Sequence, residues 1–194
     1  MKAAVFLDRD GVINQVSVRN GVPHPPGNVD ACELLPGVGQ ACQMLQTAGY
    51  LLIVVTNQPD VVRGRQSRRA VEAINAWVRR TLPVQDVLTC YHDDADCCAC
   101  RKPKPGLLLQ AADRLAVDLH RSVMIGDRWS DIEAGRAAGC ASILIEREYS
   151  CRERCQPDQI AADLLEAAHI ILSGGAPYED PGRSASQDIC GWRR

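Results

Sequence analysis

The chain has 194 residues, a formal net charge of −2 and an apolar content of 46%. That length suffices for one domain with a proper core, and the near-neutral charge argues against nucleic acid or a membrane surface as partner. No apolar run reaches transmembrane length or matches a signal-peptide core, so a cytoplasmic location is expected.

Residues 3–7 are an apolar run that reads as a buried strand. It stops at Asp8 and Asp10, and Gly11 then allows a tight turn. Residues two apart in an extended chain point to the same side, so both carboxylates aim at one point beyond the strand. Residues 15–35 carry Asn20-Gly21, Pro23 and Pro25-Pro26-Gly27 and read as a long loop able to fold over that point. A helix is expected over 36–48, with Val38, Ala41, Cys42 and Leu45 on one face and Gly49 as its stop. Residues 51–55 read as a second buried strand, running into Thr56-Asn57.

A second helix is expected over 67–80 and a short strand over 87–91, followed by a cysteine-rich loop. Pro105-Gly106 opens a further helix, with Leu108, Ala111, Ala112 and Leu115 periodic. A strand over 122–125 ends in Gly126-Asp127, a helix over 130–138 closes at Gly139, and 141–145 is another strand. Residues 163–168 read as helical, 170–172 as a last edge strand, and 173–194 as a disordered tail rich in Gly, Pro, Ser and charge. Alternating strands and helices predict an α/β fold: a Rossmann-like, doubly wound parallel sheet with helices on both faces, in one domain over 1–172.

In such a sheet the residues just after each strand gather at one edge. Here they are Asp8 and Asp10, then Thr56 and Asn57, then Arg101, Lys102 and Lys104, then Gly126 and Asp127, with Asp131 one turn later. Each alone has an ordinary use: Thr56-Asn57 or Asp127 as a helix cap, the lysines as solvated charge. Together, after successive strands, they fit phosphoryl transfer. A phosphate dianion needs cations and hydrogen-bond donors, which Thr56, Asn57 and a lysine supply. Mg²⁺ takes oxygen ligands, and Asp8 and Asp127 offer two beside a backbone carbonyl and waters. Asp8 then attacks phosphorus to give an aspartyl-phosphate, and Asp10 protonates the leaving oxygen and later activates water.

The chain holds ten cysteines, many for a cytosolic protein. Cys90-x-His92 followed by Cys98-x-Cys100 offers three thiolates and an imidazole, a usual structural Zn²⁺ set. The intervening loop has almost nothing apolar to fold on, so a metal staple explains it. Cys97 competes with Cys98, and the C-x-C spacing favours Cys98. Four protein ligands close the site, making the zinc structural and not catalytic.

The stretches L-D-R-D-G-V-I-N, V-V-T-N-Q, C-R-K-P-K-P-G and M-I-G-D-R-W-S-D, in that order, resemble the haloacid dehalogenase (HAD) superfamily of phosphatases over residues 3–146. More narrowly they resemble the D,D-heptose 1,7-bisphosphate 7-phosphatases and the related histidinol-phosphatases. The resemblance implies Asp8 as nucleophile and Asp10 as general acid/base, with Thr56 and Lys102 on the transferring phosphate. The choice of Lys102 over Lys104 rests on the resemblance alone. It also implies Mg²⁺ on Asp8, Asp127 and the Asp10 carbonyl, and substrate contacts at Asn57, Arg101 and Arg128. Asp10 and Thr56 are too close in sequence for a large cap domain between them, so a capless enzyme is expected, walled by the 15–35 loop and the zinc loop. The expected substrate is a small phosphorylated metabolite, first heptose 1,7-bisphosphate at its 7-phosphate, whose second phosphate Arg63, Arg101, Arg128 or Arg19 would meet. The alternatives are histidinol phosphate, with Asp93, Asp94 and Asp96 for its cationic groups, and a non-catalytic HAD-like binding protein. The oligomeric state is left open, with a monomer favoured.

Overall fold

The computed structural model of the chain describes residues 1–150 and 155–174; Cys151, expected with Cys155 to be a surface residue, and the expected tail beyond Gly174 lie outside these. The elements are β1 (Ala4–Leu7), β2 (Ser17–Arg19), β3 (Val22–His24), α1 (Val38–Thr47), β4 (Leu51–Asn57), α2 (Arg68–Thr81) and β5 (Asp86–Cys90). They continue with α3 (Gly106–Leu115), β6 (Val123–Gly126), α4 (Trp129–Ala138), β7 (Ala141–Ile145), β8 (Gln159–Ala161) and α5 (Leu164–Leu172). Six strands pair in the order β5-β4-β1-β6-β7-β8, and every pairing is parallel. Chain order runs outward in both directions from β1. The C-terminal end of β1 is therefore the switch point of the sheet, where open α/β folds place their ligands.

The period of two along each strand divides the core. Val5 and Leu7 of β1 pack with Val54 and Ile125 in a layer that includes α1 and α5 residues such as Leu45, Leu164 and Ala168. Ala4 and Phe6 face the other way, with Ile53, Val55 and Met124, toward Leu107, Leu108 and Ala111 of α3 and Ala134 of α4. Buried on both sides, β1 and β4 read as unbroken apolar runs, as parallel strands must. No helix among the described residues is long and apolar enough to cross a membrane.

Two expectations need correction. The stretch 170–172 is not a strand: α5 runs unbroken from Asp163, whose side chain accepts from the Glu166 amide as N-cap, to Leu172. Leu164, Ala167, Ala168 and Ile171 keep one buried helical face through the β-branched pair Ile170-Ile171, so packing overrides local strand preference. The edge strand is instead β8, whose Gln159, Ile160 and Ala161 pair with Ile143, Leu144 and Ile145. Nor is 15–35 all loop. Asn20 and Gly21 take φ of 52° and 73° and join β2 to β3 as an antiparallel hairpin. Two positive-φ residues, Asn then Gly, are the demand of a type I′ turn.

The sheet and α4 touch through a glycine. A Cβ on Gly135 would lie 2.6 Å from Cβ of Met124 on β6, with no flexible tip to yield. Gly135→Ala is expected to destabilise the protein by about 1–3 kcal/mol through overpacking, despite alanine's better helix propensity. Urea denaturation checks this; an unchanged or raised midpoint would contradict the packing argument.

Candidate active site

The switch point opens into a cavity of about 360 Å³. β1 delivers Asp8 and Asp10 to it, β4 delivers Thr56 and Asn57, and the chain after the cysteine loop delivers Arg101 and Lys102. Arg128 and Asp131 line it from the start of α4. Arg63 lies in its wall too, whereas Arg19 is exposed on β2 and lies outside the lining.

Lys102 is the hub. Its buried ammonium donates to Asp8 Oδ1 at 2.7 Å and to the Val55 carbonyl at 2.7 Å, and pairs with Asp131 Oδ1 at 2.6 Å. Burial alone would lower its pKa, but Asp131 and Asp8 drive it upward, so it stays a cation. Lys104, the other candidate, instead donates to the Cys97 carbonyl at 2.8 Å, outside the acid cluster. Asn57 lines the cavity, yet its amide is engaged by the Lys102 backbone, donating to its carbonyl at 3.0 Å and accepting from its amide at 3.2 Å. Asn57 thus holds the lysine in place.

Asp10 is held from three sides. The wholly buried Arg9 donates to both of its oxygens, at 3.2 and 2.9 Å, and Asn14 and Gln58 donate at 3.0 and 2.7 Å. Arg9 is anchored in turn by Asn75 of α2 at 2.8 Å. Burial would raise the Asp10 pKa, but the Arg9 guanidinium and the amide donors hold it below the usual carboxylate range. Gln58 also donates to Thr56 Oγ1 at 2.8 Å, which leaves the threonine proton free to point into the cavity.

Asp8 and Asp127 show the opposite electrostatics. Burial, together with Asp131 and Asp10, pushes Asp8 up to about 6 despite Lys102. Burial, then Asp8 and Asp131, pushes Asp127 up to about 8. One oxygen of Asp127 accepts from Tyr149 at 2.7 Å; the other, Oδ1, is buried with no partner among the described residues. Carboxylate oxygens of Asp8, Asp127 and Asp131 lie within 4.8 Å of one another. An orphaned buried oxygen among crowded acids is the environment a hard divalent cation relieves, so the residues fit Mg²⁺.

The cysteine loop forms a second cluster. Cys90, Cys98 and Cys100 place their sulfurs 3.2–3.7 Å apart, and His92 Nδ1 lies 3.6 Å from Cys90 and 3.3 Å from Cys100. A zinc tetrahedron with bonds of about 2.3 Å to sulfur sets its sulfurs about 3.8 Å apart, close to this arrangement. Cys98 joins the cluster, while Cys97 is exposed and turned toward the Asp94 carbonyl. Burial would raise the Cys98 thiol, but donation from Cys100 and the Arg101 amide pulls it down to about 7, toward the thiolate a metal needs. The described cysteines are all free of disulfides.

At the rim, the arginines and the loop acids engage each other. Arg63 forks onto both oxygens of Asp93, one contact at 2.7 Å, and Arg101 pairs with Asp94 at 2.7 Å. The exposed Arg128 has no carboxylate within ion-pair distance among the described residues.

The HAD-hydrolase-like family profile matches residues 99–167. The heptose-1,7-bisphosphate 7-phosphatase of Salmonella typhi is 36% identical over 156 residues, covering 74% of this chain and 80% of that protein. Its counterpart in Rhodopseudomonas palustris is 39% identical over 159 residues, covering 76% of this chain and 85% of that one. The chain belongs to this phosphatase family. The crystal structure of the B. bronchiseptica D,D-heptose 1,7-bisphosphate phosphatase, complexed with magnesium and phosphate, superposes with a TM-score of 0.73 at 31% identity, covering 89% of this chain and 99% of that one. A HAD-type phosphoric monoester hydrolase is thus the enzyme class.

Sequence reasoning passed over three residues of this family site. Arg9 lay between the two acids but pointed away from them in the strand pattern, so its bidentate grip on Asp10 had no signature. Gln58 and Tyr149 likewise enter through tertiary contacts.

Asp8 and Asp127 bind protons more tightly folded than unfolded. Their stabilising protonation is complete below the ordinary carboxylate range and is lost as pH rises through about 6 and about 8. Without Mg²⁺, the melting temperature is expected to fall from about pH 5 to about pH 9, more shallowly in Asp127→Asn, and added Mg²⁺ to raise it most at the alkaline end. Calorimetry across that range checks the sign; a flat profile without Mg²⁺ would contradict it.

Proposed function

We propose that the protein is a Mg²⁺-dependent phosphatase that removes the 7-phosphate of D-glycero-D-manno-heptose 1,7-bisphosphate through an aspartyl-phosphate on Asp8. The observation that carries this reading is the meeting of Asp8, Lys102 and Asp127 at the switch point, in a chain of this family. Asp8, Asp127 and the Asp10 carbonyl would hold Mg²⁺, which neutralises negative charge where an anionic nucleophile must approach an anionic phosphate. Lys102 and the Thr56 hydroxyl hold the phosphate oxygens. An Asp8 oxygen forms the new bond to phosphorus, and the bond from phosphorus to the sugar oxygen breaks.

Asp10 supplies a proton to that leaving oxygen. Its donors keep it ionised at rest, and the arriving phosphate adds a negative charge that favours its protonated form. In the second half, Asp10 takes a proton from water, the hydroxide oxygen bonds phosphorus, and the bond to Asp8 breaks. Inorganic phosphate leaves and the carboxylate is restored.

The curated relatives favour the heptose substrate, and so does the rim. Of Asp93, Asp94 and Asp96, the groups that would greet the cations of histidinol phosphate, the first two are already paired with Arg63 and Arg101, and Asp96 accepts from the Asp93 amide. Arg128 remains available for the second phosphate, with Arg63 and Arg101 framing the entrance. Phosphate release should be far faster, by kcat/KM, from heptose 1,7-bisphosphate than from histidinol phosphate, to require Mg²⁺, and to vanish in Asp8→Asn. A higher value for histidinol phosphate would overturn the substrate; no release from either would overturn the enzyme.

Zinc on Cys90, His92, Cys98 and Cys100 completes the reading. The Arg101 amide donates to Cys98 Sγ at 3.3 Å, so the metal would anchor the segment that carries Arg101 and Lys102. Elemental analysis should find one zinc per chain, mostly lost in Cys98→Ser with a lowered melting temperature and kept in Cys97→Ser. Equal zinc in both variants would refute the ligand set.

A further inference from the structure

The segment after β7 reaches back over the acid cluster, although none of the sequence motifs includes it. Tyr149 donates its hydroxyl to Asp127 Oδ2 at 2.7 Å, and Ser150 donates to the backbone carbonyl of the same aspartate, also at 2.7 Å. Arg147 fixes the segment, its guanidinium donating to the Gly11 carbonyl at 3.2 and 3.1 Å and to that of Ala162 at 3.2 Å. Gly11 makes the approach possible. A Cβ there would lie 2.1 Å from Asp127 Oδ2 and 2.6 Å from the Tyr149 hydroxyl, so no other residue fits beneath the pair.

The two oxygens of Asp127 are therefore not equivalent. Oδ2 is occupied by the tyrosine proton, while Oδ1 is buried and has no partner among the described residues. The terminal torsion of an aspartate is soft, so a carboxylate with neither oxygen tethered turns freely. A hydrogen bond at one oxygen fixes the direction of the other, as partners behind metal ligands generally do.

We propose that Tyr149 is a positioning residue for the divalent cation: its hydroxyl orients the Asp127 carboxylate so that Oδ1 faces the metal beside Asp8. This rests on the reading of Asp127 as a Mg²⁺ ligand. Tyr149 touches neither substrate nor metal; it acts through Asp127. If the contact merely sealed the loop, its loss would lower the metal-free stability, and metal affinity would change only as a consequence of that.

The test uses the full chain with its zinc in place and Mn²⁺ as the probe, followed by electron paramagnetic resonance without substrate. Asp127→Asn should abolish binding at this site. Tyr149→Phe should raise the Mn²⁺ dissociation constant about 10- to 100-fold, the usual cost of losing a partner behind a ligand, and shift the Mg²⁺ concentration for half-maximal activity by the same factor. Its metal-free melting temperature should stay near that of the parent. If Tyr149→Phe binds Mn²⁺ within about twofold of the parent while Asp127→Asn does not bind, this inference alone fails. If Asp127→Asn binds as the parent does, the metal-site reading fails and this inference with it. A weakened affinity that comes with a collapsed melting transition would mean that the tyrosine only seals the loop, and would overturn the proposal.

Discussion

The constraint on which the structure depends is the crowding of carboxylates at the end of β1. Asp8, Asp10, Asp127 and Asp131 converge there with Lys102 and Arg9 as their buried cations. Like charges at this separation, taken out of water, repel strongly, and burying any of them without partners is costly. The fold answers in two ways. Lys102 bridges Asp8 and Asp131, and Arg9 forks onto Asp10. What remains is the pair Asp8 and Asp127, both pushed up, with one oxygen of Asp127 unpartnered among the described residues. The residual imbalance is the electrostatic form of a cation site.

Much of the surrounding architecture serves those two cations. Lys102 arrives on an irregular segment after β5, and such a segment has no regular hydrogen-bond ladder to hold it. Asn57 clamps its backbone, and the Cys90, His92, Cys98 and Cys100 cluster grips the stretch just before it. Arg9 reaches through Asn75 to Thr89 on β5, so the Asp10 carboxylate is tied to α2 and to the sheet edge. A site built on the ends of rigid strands and tied to a second layer of contacts holds its groups closely enough for in-line chemistry.

The rim obeys a different rule. The cysteine loop offers acids, the segment after β4 offers Arg63 and the chain after the loop offers Arg101, and they meet as partly exposed pairs at the cavity wall. Exposed pairs of this kind are weak in water and screened by salt. They open to a competing dianion far more readily than the buried pairs below. The same arginines thus shape the wall at rest and, under the proposed function, would stand beside a phosphorylated substrate when it enters.

The sequence by itself determined the sheet, its parallel sense and the edge where chemistry happens. Apolar runs of period two or unbroken length, each ending in Asp, Thr or Gly, leave few other ways to bury the strands, and topology then brings Asp8, Thr56, Lys102 and Asp127 to one edge. The cysteine spacing also read correctly as a cluster, because C-x-H and C-x-C are local geometries. Local signals were weaker where two states compete. The β-branched Ile170-Ile171 suggested a strand, and only packing of α5 on α1 kept the helix; Asn20-Gly21 read as loop until β2 and β3 paired. Contacts made across the fold had no signature at all. Arg9 on Asn75, Gln58 on Asp10 and Tyr149 on Asp127 join residues 66, 48 and 22 positions apart, with no period to reveal them. Tertiary structure alone decided these, because a hydrogen bond depends on where two side chains end, and that is set by every element packed between them.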